Sequence, residues 1–223
     1  MLDIKRYIEH TLLSPTLTDR HINQLILQAR EYHFHGVCVP PFWVKKVKRE
    51  LEDLNMQVVT VVGFPLGYQM TETKVFETER AIKDGADEID VVWSLSAFKS
   101  GMNWPKIELA KLSTLCHDHG KVLKVIIETG YLSQQEIIEA CKIGSDAGVD
   151  FIKTSSGYAE SGARKEDIQL MRRILPSNVG IKASGGIKTY EQAKTMIEAG
   201  ADRIGTSSGM EILKEWEIAK SIK

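Results

Sequence analysis

Two lysines sit inside apolar, β-branched surroundings, Lys153 in DFIKTSSG and Lys182 in GIKASGG. Burying an ammonium group without compensation is costly, so lysine rarely occupies such positions unless it is paired. A stem lying along a sheet with its head in solvent accounts for one such lysine. Two of them, each followed by a small, Gly-containing loop, point to function. Neighbouring ammonium groups disfavour each other's charge and desolvation acts in the same direction, so one amine can become neutral and attack a carbonyl. That is Schiff-base chemistry, and the residues alone leave open which lysine forms the bond.

A weak internal repeat supplies a partner. GADEID (85–90), GVDFIK (148–153) and GADRIG (200–205) share a frame whose last slot holds Asp90, Lys153 and Gly205. If the repeat marks one strand register, these three converge in one layer of a barrel, because alternate strands feed the same interior layer. Asp90 could then hold the second lysine charged and take part in the proton transfers of carbinolamine formation and dehydration. A plain ion pair with a neighbouring lysine is the simpler role. Gly205 would leave room for a ligand. Lys124, in KVLKVIIE, has the spacing to point inward with Glu128; it is read as a supporting residue, and a structural ion pair fits it equally well.

Glycine and hydroxyl residues recur at strand ends: Gly157 after Ser155-Ser156, Gly185-Gly186 after Ser184, and Ser207-Ser208-Gly209 after Thr206. Backbone N–H groups in such turns, with the start of a short helix after strand 8, can cradle a phosphate dianion without a basic residue. Each loop alone only predicts a turn, but two on adjacent strand ends beside the lysines suggest a site. The pairs His33/His35 and His117/His119 lack a carboxylate or cysteine at ligand spacing, so no metal is expected. Charge at a helix C-terminus explains the second pair more simply.

The elements that position these residues alternate short β-branched runs with longer helical stretches. Strands are expected at 8–13, 36–40, 58–63, 88–93, 121–127, 150–154, 180–183 and 203–206, with helices between them. Eight such strands imply a single-domain (β/α)8 TIM barrel spanning residues 1–223. Pro40 and Pro41 begin one helix, Glu72 lies early in the next, and Gly85, Gly120, Gly148 and Gly200 mark helix stops.

Lys+Arg 29 against Asp+Glu 30 leaves no field favouring nucleic acid or an anionic membrane, so an anionic ligand must be held by local groups. The stretch Lys45, Lys46, Lys48, Arg49 is a solvated helix face. No signal-peptide core or membrane-length apolar run is present, so a cytoplasmic protein is expected. Cys38, Cys116 and Cys141 lack paired spacing and are read as reduced and structural. Assembly leaves no direct signal; the default for a soluble enzyme is a symmetric homodimer.

HTLL (10–13), GVCV (36–39), VVGFPLG (61–67), ADEIDVV (86–92), LKVIIETG (123–130), FIKTSSG (151–157), GIKASGGI (180–187) and ADRIGTSSG (201–209) together resemble the deoxyribose-phosphate aldolase family. The match runs from about residue 8 to residue 212. It implies that Lys153 is the Schiff-base lysine, that Lys182 perturbs its amine, and that Asp90 relays protons through an ordered water. It also implies that Gly157, Gly185, Gly186, Ser207 and Ser208 bind phosphate and that Cys38 lines the pocket. The implied reaction is reversible cleavage of 2-deoxy-D-ribose 5-phosphate to D-glyceraldehyde 3-phosphate and acetaldehyde, with no cofactor. Related Schiff-base aldolases of other aldehyde specificity, and a non-catalytic sugar-phosphate binder, are the rivals. Pro40, Trp93-Ser94-Leu95-Ser96, Ser156 and Arg164 depart from the family pattern at strand ends, where substrate is read.

Overall fold

Parallel strands covered on both faces carry continuous branched aliphatic runs, because helices bury the outer face and side chains fill the inner one. The computed structural model describes residues 3–221. All eight runs read from the sequence form strands in it: β1 (Ile8–Thr11), β2 (Gly36–Val39), β3 (Gln57–Val62), β4 (Glu88–Val92), β5 (Val122–Ile126), β6 (Phe151–Lys153), β7 (Gly180–Ser184) and β8 (Arg203–Thr206). Each strand pairs in parallel with its sequence neighbours, and β8 pairs with β1, closing the expected (β/α)8 barrel. Observed strand ends lie within one or two residues of those expected.

The helices are α1 (Asp19–Tyr32), α2 (Val44–Glu50), α3 (Thr71–Lys83), α4 (Leu95–Lys99), α5 (Trp104–Asp118), α6 (Gln134–Asp146), α7 (Lys165–Ile174), α8 (Tyr190–Glu198) and α9 (Gly209–Ser221). Gly85, Gly120, Gly148 and Gly200 follow the ends of α3, α5, α6 and α8 with positive φ, a conformation in which a Cβ is strained. Pro41 opens a short 3-10 turn ahead of α2, and Glu72 lies in the first turn of α3. Capping boxes start α6, where Ser133 and Glu136 bond reciprocally, and α8, where Thr189 and Gln192 do. The helix after β8 is not the short extra element expected; α9 runs 13 residues and is the closing helix of the barrel.

Strand parity divides the interior. Ile89, Val91, Val125, Ile152, Ile181 and Ile204 belong to the large apolar core. The opposite parity faces the barrel axis, where Cys38, Val59 and Val61 form a small apolar cluster of their own. The basic stretch on α2 is neutralised locally: Lys46 pairs with Asp19, Lys48 with Asp87 at 2.6 Å and Arg49 with Glu50 at 2.7 Å. All three cysteines are free and buried, and burial pushes the Cys116 and Cys141 thiols up to about 12. Among the described residues no helix is long and apolar enough to cross a membrane.

Candidate active site

The axis-facing parity of β1, β4, β5, β6 and β7 carries charge. Asp90 is fully buried, and its Oδ2 accepts from Lys153 Nζ at 2.8 Å and from Lys182 Nζ at 2.6 Å. Its Oδ1 accepts from Lys124 Nζ at 2.9 Å. Lys182 also bonds Glu9, and Lys124 lies 2.5 Å from Glu88 and 3.6 Å from Glu9. Three amines thus meet three carboxylates inside the barrel, and each charge finds an opposite one, as burial demands.

The electrostatics follow from this pairing. Burial alone would raise the Asp90 carboxyl, but Lys124, Lys153 and Lys182 outweigh it and hold the group well below its ordinary value. Burial alone would lower the Lys182 amine, yet Asp90 and Glu9 outweigh it and the net shift is upward. Lys124 is likewise driven well above its usual range by Asp90, Glu9 and Glu88. Asp90 is therefore ionised while Lys124 and Lys182 are cations. The amine–amine repulsion inferred from sequence is answered here by carboxylates, two of which, Glu9 and Glu88, the sequence reading did not single out.

Lys153 differs from the other two amines in access. It lines a cavity of about 320 Å³ at the C-terminal mouth of the barrel, with Ser184, Gly205 and the loops after β6, β7 and β8. Gly157, Gly185, Gly186 and Ser207 all line this cavity. Gly185 and Gly186 both have positive φ, at 89° and 78°, which lets consecutive amides turn toward one space. A Cβ on Gly157 or Gly186 would meet nothing within 4 Å, so these backbones border open volume. The loops are locked to one another: Ser184 Oγ donates to Ser155 O at 2.6 Å and Thr206 Oγ1 to Ile187 O at 2.6 Å. Lys188, a basic side chain the sequence reading passed over, also lines the cavity.

Several expectations need correction. Lys124 does not line the cavity; it is wholly buried at the far side of Asp90. Nor does it pair with Glu128, because β5 ends at Ile126 and Glu128 turns to φ 57°, where its carboxylate accepts from the Ser156 amide at 3.1 Å. Cys38 is buried within the barrel and also stays out of the cavity, its thiol pushed up to about 11 by burial. Ser208 is absent from the lining, and its amide is already donated to Thr206 Oγ1 at 2.9 Å. A Cβ on Gly205 would first meet Lys182 Cε at 3.0 Å, so this glycine makes room for a lysine stem as well as for a ligand.

The departures from the family pattern also resolve. The Arg164 guanidinium is committed to Asp167 through two hydrogen bonds at 2.8 and 3.0 Å. Trp93 is fully buried, with its indole N–H donated to Ile127 O at 3.2 Å and its ring stacked on Phe98. Pro40 stands half-buried before the 3-10 turn. Among the histidines, His35 faces Glu88 at 3.7 Å and His117 lies 3.1 Å from Asp150, while His119 bonds Leu115 O at the end of α5. No group of three His, Cys, Asp or Glu side chains able to hold a metal occurs among the described residues.

The family model described as DeoC/LacD family aldolase matches residues 7–215. A deoxyribose-phosphate aldolase of Caldanaerobacter subterraneus subsp. tengcongensis is 48% identical, over 97% of this chain and 95% of its own length. Among solved structures, an aldolase designated QR15 has a TM-score of 0.93 at 41% identity, covering 100% of this chain and 99% of its own. The deoxyribose phosphate aldolase of Aeropyrum pernix, described as tetrameric, has a TM-score of 0.90 at 31% identity, covering 96% of this chain and 91% of its own.

Proposed function

Because this chain belongs to the DeoC/LacD family of aldolases, we propose that it cleaves 2-deoxy-D-ribose 5-phosphate reversibly to D-glyceraldehyde 3-phosphate and acetaldehyde, with Lys153 as the covalent residue. One observation carries the choice of lysine. Of the three amines around Asp90, only Lys153 lines the open cavity. An amine must reach a carbonyl carbon before it can act as a nucleophile, so access separates Lys153 from Lys124 and Lys182.

The reaction follows from the cluster's charges. Lys153 Nζ adds to C1 of the open-chain aldehyde, and loss of water from the carbinolamine gives a protonated imine. This cation forms where Asp90 already lies 2.8 Å from the nitrogen. An ionised carboxylate at that distance stabilises the iminium without reorganising. The iminium then draws the C2–C3 bonding electrons as the C3 hydroxyl loses its proton, releasing D-glyceraldehyde 3-phosphate and leaving an enamine. Protonation of the enamine and addition of water free acetaldehyde and the amine.

Lys182 acts as a positioning cation that keeps Asp90 ionised. Asp90, through an ordered water, relays the protons. The phosphate is held by amides of the Gly157, Gly185–Gly186 and Ser207 loops, with Lys188 as the basic side chain at their rim. Lys124 ties β5 to Glu88 and Asp90 and supports the layer from outside the cavity.

Borohydride reduction in the presence of acetaldehyde, followed by peptide mass mapping, tests the assignment. An ethyl group on Lys153 is the expected result. A folded protein with no adduct there overturns the assignment. For compartment and assembly we retain the cytoplasm and a symmetric dimer. Exposed Phe42 and Phe76 supply apolar surface for a second copy, and sedimentation would separate a dimer from a tetramer like that of the Aeropyrum pernix protein.

A further inference from the structure

A second cavity, about 330 Å³, adjoins the one that holds Lys153. Ser156 and Tyr158 line both. Tyr158 Oη donates to Leu13 O at 3.0 Å, and its ring meets Phe64 edge-on with centroids 5.4 Å apart. The side chain therefore spans the barrel mouth from the loop after β6 to the loop after β1, and with Ser156 it stands between the two spaces. Its amide is in turn donated to Ser156 Oγ at 3.1 Å, and the Ser156 amide is held by Glu128.

The two cavities differ in chemistry. The first is ringed by amides and hydroxyls. Leu66, Val92, Trp93, Leu95 and Ala159 give the second an apolar wall. Its two charged groups are already engaged, Glu128 with the Ser156 amide and Lys99 with Glu136 at 2.6 Å. With no free cation, this annex is unsuited to a phosphate and suited to an uncharged hydrocarbon group. Trp93, Leu95 and Ser96, from the segment that departs from the family pattern, all line it. Trp93 is pinned by its indole bond and its stack on Phe98, so that wall is fixed. Tyr158 is half-exposed and held by one neutral hydrogen bond to the opposite loop, a weak restraint.

We propose that Tyr158 is a gate between the reaction cavity and an apolar annex, and that the open gate admits the hydrocarbon chain of an unphosphorylated aldehyde acceptor. This rests on the aldolase reading above. The enamine carbon on Lys153 bonds to the acceptor's carbonyl carbon, and the carbonyl oxygen takes up a proton to become a hydroxyl. Water then hydrolyses the iminium and restores the amine. Tyr158 sets specificity by deciding whether the acceptor's tail has the polar cavity alone or the annex as well.

The test compares kcat/KM for addition of acetaldehyde to hexanal and to D-glyceraldehyde 3-phosphate. Tyr158→Phe removes the latch hydroxyl and Tyr158→Ala removes the wall. Each is expected to raise the hexanal-to-phosphate selectivity about tenfold, since a few methylenes placed in an apolar pocket are worth that much. Adding Ala159→Phe to Tyr158→Ala refills the annex and should return the ratio toward that of the unaltered chain. Selectivity within about twofold of the unaltered chain in both Tyr158 variants overturns the gate. A rise that Ala159→Phe does not reverse overturns the annex as the seat of the tail. Failure of the unaltered chain to cleave 2-deoxy-D-ribose 5-phosphate sinks the aldolase reading itself, and that rate is measured first.

Discussion

Lys74 and Lys153 are both buried lysines with a carboxylate close by, Glu108 at 2.7 Å for the first and Asp90 at 2.8 Å for the second. Lys74 sits in the seam between α3 and α5. There Thr71 Oγ1 donates to the second oxygen of Glu108 at 2.9 Å, and the Trp104 indole donates to Thr71 at 3.0 Å. That is a closed set, with one cation, one anion and hydrogen bonds to finish the anion's lone pairs. Burial pushes the Lys74 amine downward against the pull of Glu108. A lowered amine is therefore no mark of chemistry by itself. In the barrel, one carboxylate is divided among three amines, and one of those amines borders open volume. Sharing and access, not burial, distinguish the lysine proposed to react from the structural one.

Substitutions can break that contrast. The largest effect belongs to the barrel: Lys153→Met should cut the cleavage rate by about four orders of magnitude, and Asp90→Asn by about two to four. A Lys153→Met enzyme retaining a few per cent of the rate would show that another amine serves, and the distinction by access would fail. In the seam, Lys74→Met should cost about 3–5 kcal/mol of stability by stranding Glu108, while Lys74→Met with Glu108→Leu recovers most of it. The double variant's kcat, measured well below its melting temperature, should stay within about twofold of the parent. A much larger loss would mean that the seam reaches the site.

The smallest effect sharpens the electrostatic account. Glu88 is held at about 2 instead of its ordinary 4.5, because Lys124 and His35 outweigh the opposing effect of burial. A carboxylate depressed in the folded state stabilises fully above its unfolded value and loses that contribution as pH falls through its folded value. Urea titrations should show the parent more stable than Glu88→Gln by about 3 kcal/mol at pH 7, the gap closing between pH 4.5 and about pH 2. A gap that persists at the acid end would assign the loss to packing.

Much of this architecture could be read before any coordinates. The repeat ending in Asp90, Lys153 and Gly205 put all three on one inward parity; Asp90 and Lys153 do meet, and Gly205 lines the cavity beside Lys153. Gly185 and Gly186 were recognisable because turns with positive φ at strand ends have few residue choices. Glu9 and Glu88 escaped notice, since a carboxylate beside a polar residue near a strand's start, with His10 next to one and Asp87 next to the other, looks like a solvated end. Glu128 was expected to face inward with Lys124 and does not, for a different reason. Two-residue periodicity carried Glu128 inward, but the strand had already ended and the chain had turned.

Composition, period and turn residues determined eight parallel strands, the helix stops between them and the inward face of Asp90, Lys153 and Lys182, because these are local consequences of backbone sterics and hydrophobic alternation. Which charges meet was decided by closure. Asp90 lies 63 residues from Lys153 and 92 from Lys182, and Lys182 lies 173 from Glu9. Only the curvature that brings β8 back to β1 sets those distances. It also decides which amine is sealed among carboxylates and which one faces the cavity.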